Sequence, residues 1–252
     1  MCEQLNSFLN DNPNLWAAIK DGDYVLKNEK EKAELYGFHI DLPPQPFQGN
    51  PEAPIWILML NPCYSKDDKE YYETERKRKN AILNQLKFEK NGNHWHYVLD
   101  NAKNNFSRDW FEKRFITNKD MGLTLENVDK KIFILQACGY ASEKFNGDLK
   151  KMTTDFPHMK FAQELARWGL ANGKTIVIAR SKDYWQNVLN IEIKSENIRK
   201  NVYFLCSYLN LSFSSGNIIS YEKYKCGWKS KKEYCMFKQE SAQELKNIIE
   251  NQ

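Results

Sequence analysis

Ile55-Trp56-Ile57-Leu58-Met59-Leu60, followed at once by Asn61-Pro62-Cys63-Tyr64-Ser65, is the stretch on which the fold turns. A strand with one face in water alternates apolar and polar residues, whereas this run has no polar break. Continuity of that kind predicts a strand covered on both faces, as in parallel sheets sandwiched between helices. Three more runs share the pattern: Ile132-Phe133-Ile134-Leu135, Thr175-Ile176-Val177-Ile178-Ala179 and Val202-Tyr203-Phe204-Leu205-Cys206. Helical patterns lie between them. Residues 68–88 are highly charged, with Glu73/Lys77 and Glu75/Lys79 at supportive i,i+4 spacing. Residues 94–115 are rich in aromatics, and residues 158–172 put Phe161, Leu165 and Trp168 on one face before stopping at Gly173. A last helix over about 239–250 closes the chain. Strands alternating with helices predict an α/β protein, a three-layer α/β/α sandwich with a four-stranded, mainly parallel central sheet.

The 252 residues suit a single domain spanning 1–252, with an N-terminal helical extension over 1–40 and a basic aromatic C-terminal segment over 221–252. A short opening helix is expected, with Asn12 as cap and Pro13 in its first turn. Leu42-Pro43-Pro44-Gln45-Pro46-Phe47-Gln48-Gly49-Asn50-Pro51 reads as an irregular segment laid across the surface, because its prolines exclude a helix or a central strand. An apolar content of 41% with 14 Phe, 13 Tyr and 7 Trp argues against disorder. No window is apolar for long enough to span a membrane, and Met1 to Asn14 lacks the basic start and apolar run of a secretory leader. The six cysteines, at 2, 63, 138, 206, 226 and 235, are dispersed without C-x-x-C spacing, so free thiols in a reducing cytoplasm are expected rather than a zinc or iron–sulfur site. The net charge is only +4, but residues 221–238 hold Lys223, Lys225, Lys229, Lys231, Lys232 and Lys238 against Glu222 and Glu233.

Ligands of open parallel sheets bind beyond the carboxyl ends of the strands. The residues there are Asn61-Pro62-Cys63-Tyr64, Gln136-Ala137-Cys138-Gly139-Tyr140, Arg180-Ser181-Lys182 and Ser207-Tyr208-Leu209-Asn210. This set is rich in amides and hydroxyls and holds no carboxylate or histidine, which argues against a metal centre and against a Ser-His-Asp hydrolase. His39, His94, His96 and His158 all lie elsewhere, and a structural role is expected for the His94/His96 pair around Trp95.

Pro46-Phe47-Gln48-Gly49-Asn50-Pro51, leading into strand Ile55–Leu60 and then Asn61-Pro62, resembles the uracil-DNA glycosylase superfamily, whose first strand ends in a G-x-N-P-G or G-Q-D-P-Y-H type motif. The resemblance covers order and spacing from about residue 40 to 220. It implies a metal-free, cofactor-free enzyme that flips a damaged or modified pyrimidine-type base from DNA and hydrolyses its N-glycosidic bond, leaving an abasic site. It also allows a branch that attacks modified phage bases in antiviral defence. By the same resemblance Asn61 positions the water, while Pro62, Cys63, Tyr64, Gln136 and Tyr140 surround the base. Ser207, Tyr208, Leu209 and Asn210 fall on the motif that pinches the DNA backbone and fills the emptied stack, and Ser214 and Asn217 continue that loop toward a helix. The chain departs from the family where Met59 replaces a glycine, where Cys63 replaces Gly or Tyr, and where no histidine opens the second motif, a feature shared with the thymine-DNA glycosylase branch.

The residue types suit this chemistry. Glycosidic cleavage develops oxocarbenium character on the sugar and negative charge on the departing base. A neutral Asn61 orients water through its carbonyl oxygen, and Gln136 carries both a donor and an acceptor for a pyrimidine edge. Plainer readings stand beside these: a turn at Asn61-Pro62, a strand-end amide at Gln136 with its own hydrogen bonds, a Tyr140 that covers the core, and thiols Cys138 and Cys206 packed inside. Arg180, Lys182, Lys229 and Lys231, the last two interleaved with Tyr224, Trp228 and Tyr234, suit contact with DNA phosphates. A different class remains open, a nucleic-acid-binding module that kept the fold without the chemistry.

Overall fold

The computed structural model describes residues 3–20, 22–64, 66, 69–70, 76–96, 99, 106–117, 119–145, 147–207 and 211–251. The four apolar runs form strands β2 (Ile55–Met59), β3 (Ile132–Gln136), β4 (Thr175–Ile178) and β5 (Val202–Leu205). They pair in parallel in the order β3-β2-β4-β5, with Met59 opposite Gln136 and Leu58 opposite both Leu135 and Ile178. Their side chains alternate between two apolar clusters. Trp56, Leu58, Phe133, Leu135, Ile176, Ile178 and Phe204 face one way, and Ile57, Met59, Ile132, Ile134, Val177, Tyr203 and Leu205 the other. Both faces are therefore covered, which is why the runs contain no polar break.

The sheet has six strands rather than four. Each edge gains a short antiparallel strand, β1 (Phe47–Gly49) against β3 and β6 (Ile218–Ser220) against β5. The proline-rich segment is thus not wholly irregular. Its prolines flank β1 instead of interrupting it, and Pro46 offers its carbonyl to the Gln136 N–H at 2.7 Å, so an edge position costs no ladder bond. Gly49 takes φ +98°, and a Cβ there would sit 2.5 Å from His96 Nε2 and 2.5 Å from the Ile132 carbonyl oxygen. The loop after β5 likewise leads into β6, not directly into a helix.

Helices fill the outer layers. Thr124 and Asn127 form a capping box that starts Leu125–Lys131, which runs directly into β3. Pro157 opens Pro157–Ala171, and Gly173 beyond it adopts a left-handed φ of +77°. Within the charged and aromatic stretches the described helices are Arg76–Leu86 and Phe106–Phe115. The closing helix, Lys231–Asn251, starts earlier than the sequence suggests. The N-terminal segment packs into the main core through Leu5, Trp16, Ile19 and Ala33. No described helix is long and apolar enough to cross a membrane.

Candidate functional site

The loops after β2 and β3 run side by side. Ala137 and Cys138 donate their N–H groups to the Met59 and Leu60 carbonyls, Ser142 N–H reaches the Pro62 carbonyl, and Tyr64 N–H reaches that of Ser142. Asn61 stands between them. Its amide nitrogen lies 2.8 Å from Ser142 Oγ, 3.1 Å from the Pro62 carbonyl oxygen and 3.2 Å from that of Tyr140. Two of these partners are carbonyls, which only accept, so the nitrogen must face them and the side-chain oxygen must face away. That Oδ1 has no partner among the described residues.

Gln136, at the end of β3, carries a buried Oε1 without a hydrogen-bond partner among the described residues, and Gln48 on β1 carries a buried Nε2 in the same condition. Gln48 is opposite Ile134, two residues from Gln136, so both side chains rise from one face of the sheet. The same face of the sheet thus carries one unpaired acceptor and one unpaired donor, and buried polar groups are rarely left unbonded. Gln48 escaped the sequence reading. The period-2 alternation across a β1–β3 pair was the available signal, hidden because β1 looked irregular.

The other expected base contacts divide. Pro62 is buried, Cys63 is exposed in a bridge with Ser142, and Tyr64 stacks on His39 with ring centroids 3.4 Å apart. Tyr140 is corrected: its ring is only 1% exposed and cannot stack on a base. Its hydroxyl donates to Glu29 Oε2 at 2.8 Å and accepts from the Leu26 N–H, and burial raises its pKa. What Tyr140 brings to the site is its carbonyl, which holds Asn61. Cys138 is fully buried, with its thiol pKa pushed up by desolvation, while Cys206 is half-buried.

Arg180 follows β4, its N–H directed at the Leu58 carbonyl at 3.4 Å. Ser181 beside it adopts a left-handed φ of +53° and starts helix Lys182–Leu189. The Lys182 ammonium lies over the rings of Phe204 and Tyr224, at 5.4 and 5.5 Å. Ser207 N–H donates to Asn217 Oδ1 at 2.8 Å, and Asn217 Nδ2 reaches the Ser212 carbonyl at 2.9 Å. Asn217 is therefore the buried brace of this loop, not a surface contact. Ser214 is half-buried, with its hydroxyl 3.4 Å from that of Ser212. Tyr208, Leu209 and Asn210 lie outside the described residues.

Farther along, Trp228 stacks on Tyr234 at 4.2 Å, and Lys238 lies over the Tyr234 ring. Lys223 and Lys225 are paired with Glu244 and Glu192, whereas Lys229, Lys231 and Lys232 are exposed and form no ion pair among the described residues. His96 is buried, and burial holds its imidazole down at about 4. Among the described residues no group of three or more His, Cys, Asp or Glu is placed to hold a metal ion. No protein-family model, curated protein or solved structure matches the chain.

Proposed function

We propose that the protein is a monofunctional DNA glycosylase that flips a pyrimidine-type base and hydrolyses its N-glycosidic bond. The observation that carries the reading is Asn61: three acceptors pin its amide nitrogen at the carboxyl edge of a central strand, leaving its carbonyl oxygen to orient a water. A positioned water needs no strong base when the sugar carbon is already electrophilic, because orientation supplies much of the advantage. The unpaired Gln136 Oε1 and Gln48 Nε2 then receive the edge of the flipped base. The proposed chemistry draws on polar groups fixed in place before the substrate arrives.

A second reading has its own support. The stack of exposed Trp228 on half-buried Tyr234, near lysines without ion pairs among the described residues, suits single-stranded nucleic acid without any catalysis. Incubation with single- and double-stranded DNAs bearing uracil, thymine and 5-substituted cytosines, followed by detection of abasic sites, separates the two. Base release that falls about 10²–10⁴-fold in Asn61→Ala, with unchanged DNA affinity, is the expected result for a group acting in the transition state. DNA binding without release from any substrate would leave the binding-module reading.

A further inference from the structure

Two half-buried arginines, Arg114 and Arg180, form no ion pair among the described residues. Arg114 closes the helix Phe106–Phe115, whose last turn is tied to the loop after β5 by a 2.8 Å bond from the Phe213 N–H to the Arg114 carbonyl. Arg180 leaves β4 level with Leu58, one strand away from Asn61. Arg114 Nε is itself buried, with no hydrogen-bond partner among the described residues. Nearby acids are engaged elsewhere, Glu112 with Arg108 at 2.9 Å and Asp120 with the Ser215 N–H and hydroxyl at 2.9 and 2.6 Å. The Trp110 ring, 5.0 Å from the Arg114 guanidinium, holds that group in place. Desolvation lowers both pKa values, and the Arg114 charge lowers that of Arg180 further.

Uncompensated charge of this kind is costly to keep, and a guanidinium's planar fork matches the oxygens of a phosphate. We infer that Arg114 and Arg180 form a phosphate-binding subsite beside Asn61, which fixes the substrate by a phosphate group while the Gln136/Gln48 edge receives its base. In taking that phosphate from a DNA backbone the inference rests on the proposed function; the anion site itself stands on the arginines. The same chemistry serves a phosphodiester in a polynucleotide or the monoester of a free nucleotide.

The test measures binding of inorganic phosphate, thymidine monophosphate and a short oligothymidylate to the wild-type protein at constant ionic strength, by calorimetry. Arg114→Gln and Arg180→Gln are compared, with Arg→Lys versions that keep the charge but lose the fork. Saturable binding is expected, weakened about tenfold or more in each Gln variant, as for loss of one charge-assisted hydrogen bond. Tighter oligonucleotide binding assigns the subsite to a polynucleotide, and tighter monophosphate binding assigns it to a free nucleotide. Absence of phosphate binding by the wild-type protein, which needs no variant to fold, would overturn the inference, as would equal affinity in both Gln variants. Arginine-dependent phosphate binding with no base released from any DNA would retain the anion site and remove the glycosylase.

Discussion

Glu29 lies 2.7 Å from His158 Nδ1, both side chains are about 1% exposed, and between them they organise the loop that holds Asn61. His158 Nε2 accepts the Gly139 N–H, which places the ring proton on Nδ1, facing the carboxylate. The same carboxylate accepts the Tyr140 hydroxyl and the His158 backbone N–H. Trp16 packs on both rings, with centroids 5.3 Å from Tyr140 and 4.7 Å from His158. The N-terminal segment thus reaches the site indirectly, through the Tyr140 carbonyl and Ser142.

Glu29→Gln turns an acceptor of three bonds into a group with two donors of its own, facing donors. Each buried donor left without its acceptor costs about 1–3 kcal/mol, so Glu29→Gln should cost at least that, while Tyr140→Phe removes two bonds, the one to Glu29 and the one from the Leu26 N–H, and should cost about as much. Urea unfolding of the two single variants and the double measures the coupling, which should be non-zero because the groups share one carboxylate. Strict additivity would mean that Tyr140 and Glu29 do not act together.

The central strands were legible because burial on both faces leaves only apolar residues in Ile55–Met59 and its three parallel neighbours. The edge strands were not. β1 and β6 are three residues long, and prolines around Phe47–Gly49 hide a pairing that only the β3 partner reveals. Asn61 and Gln136 stand out in the sequence because strand ends are readable places in an α/β sheet. Tyr140 was misjudged because its direction depends on Glu29, 111 residues away in the chain. Arg114 and Gln48 become notable only through missing partners, a property of tertiary structure alone.

His96 should make the protein acid-sensitive in a defined window. Its imidazole is held at about 4 against 6.5 for a free one, by burial that outweighs the attraction of Asp129. Between those values the unfolded chain binds a proton that the folded chain refuses, so stability falls as pH drops from about 6.5 toward 4, at up to about 1.4 kcal/mol per unit. His96→Gln, which keeps a donor for the Ile132 carbonyl, should flatten that part of the profile of urea midpoints. An unchanged acid slope would show that carboxylates alone set it.

Lys229, Lys231 and Lys232 offer a separate test of the proposed DNA binding. If they contact phosphates, replacing all three by alanine should weaken every duplex sequence alike and reduce the slope of log affinity against log salt by about 0.9 per lost contact. Their exposure makes a loss of folding stability beyond about 0.5 kcal/mol unexpected. A slope identical to that of the wild type would remove these three lysines from any DNA contact.

Cys63 bears on which base is accepted, given the proposed glycosylase function. In the strict uracil enzymes of the superfamily proposed for this chain, a tyrosine follows the motif's proline and blocks substituents at C5 of the pyrimidine. Here the position holds a much smaller, exposed side chain, set against Ser142 in the same loop pair that fixes Asn61. Its neighbour Tyr64 does not stand in for the missing ring. That side chain lies flat on His39, with an interplanar angle of 5°, and packs toward the core. The wall beside the base should therefore stand back far enough for a methyl, hydroxymethyl or larger group. Cys63→Tyr should restore the barrier, so release of 5-substituted bases should fall by far more than release of uracil. Discrimination of about 10–200-fold is what one added steric contact in a pocket supplies. Competition between uracil and 5-hydroxymethyl substrates in one reaction measures that ratio directly. An equal loss on both would assign Cys63 to packing of the loop rather than to choice of base.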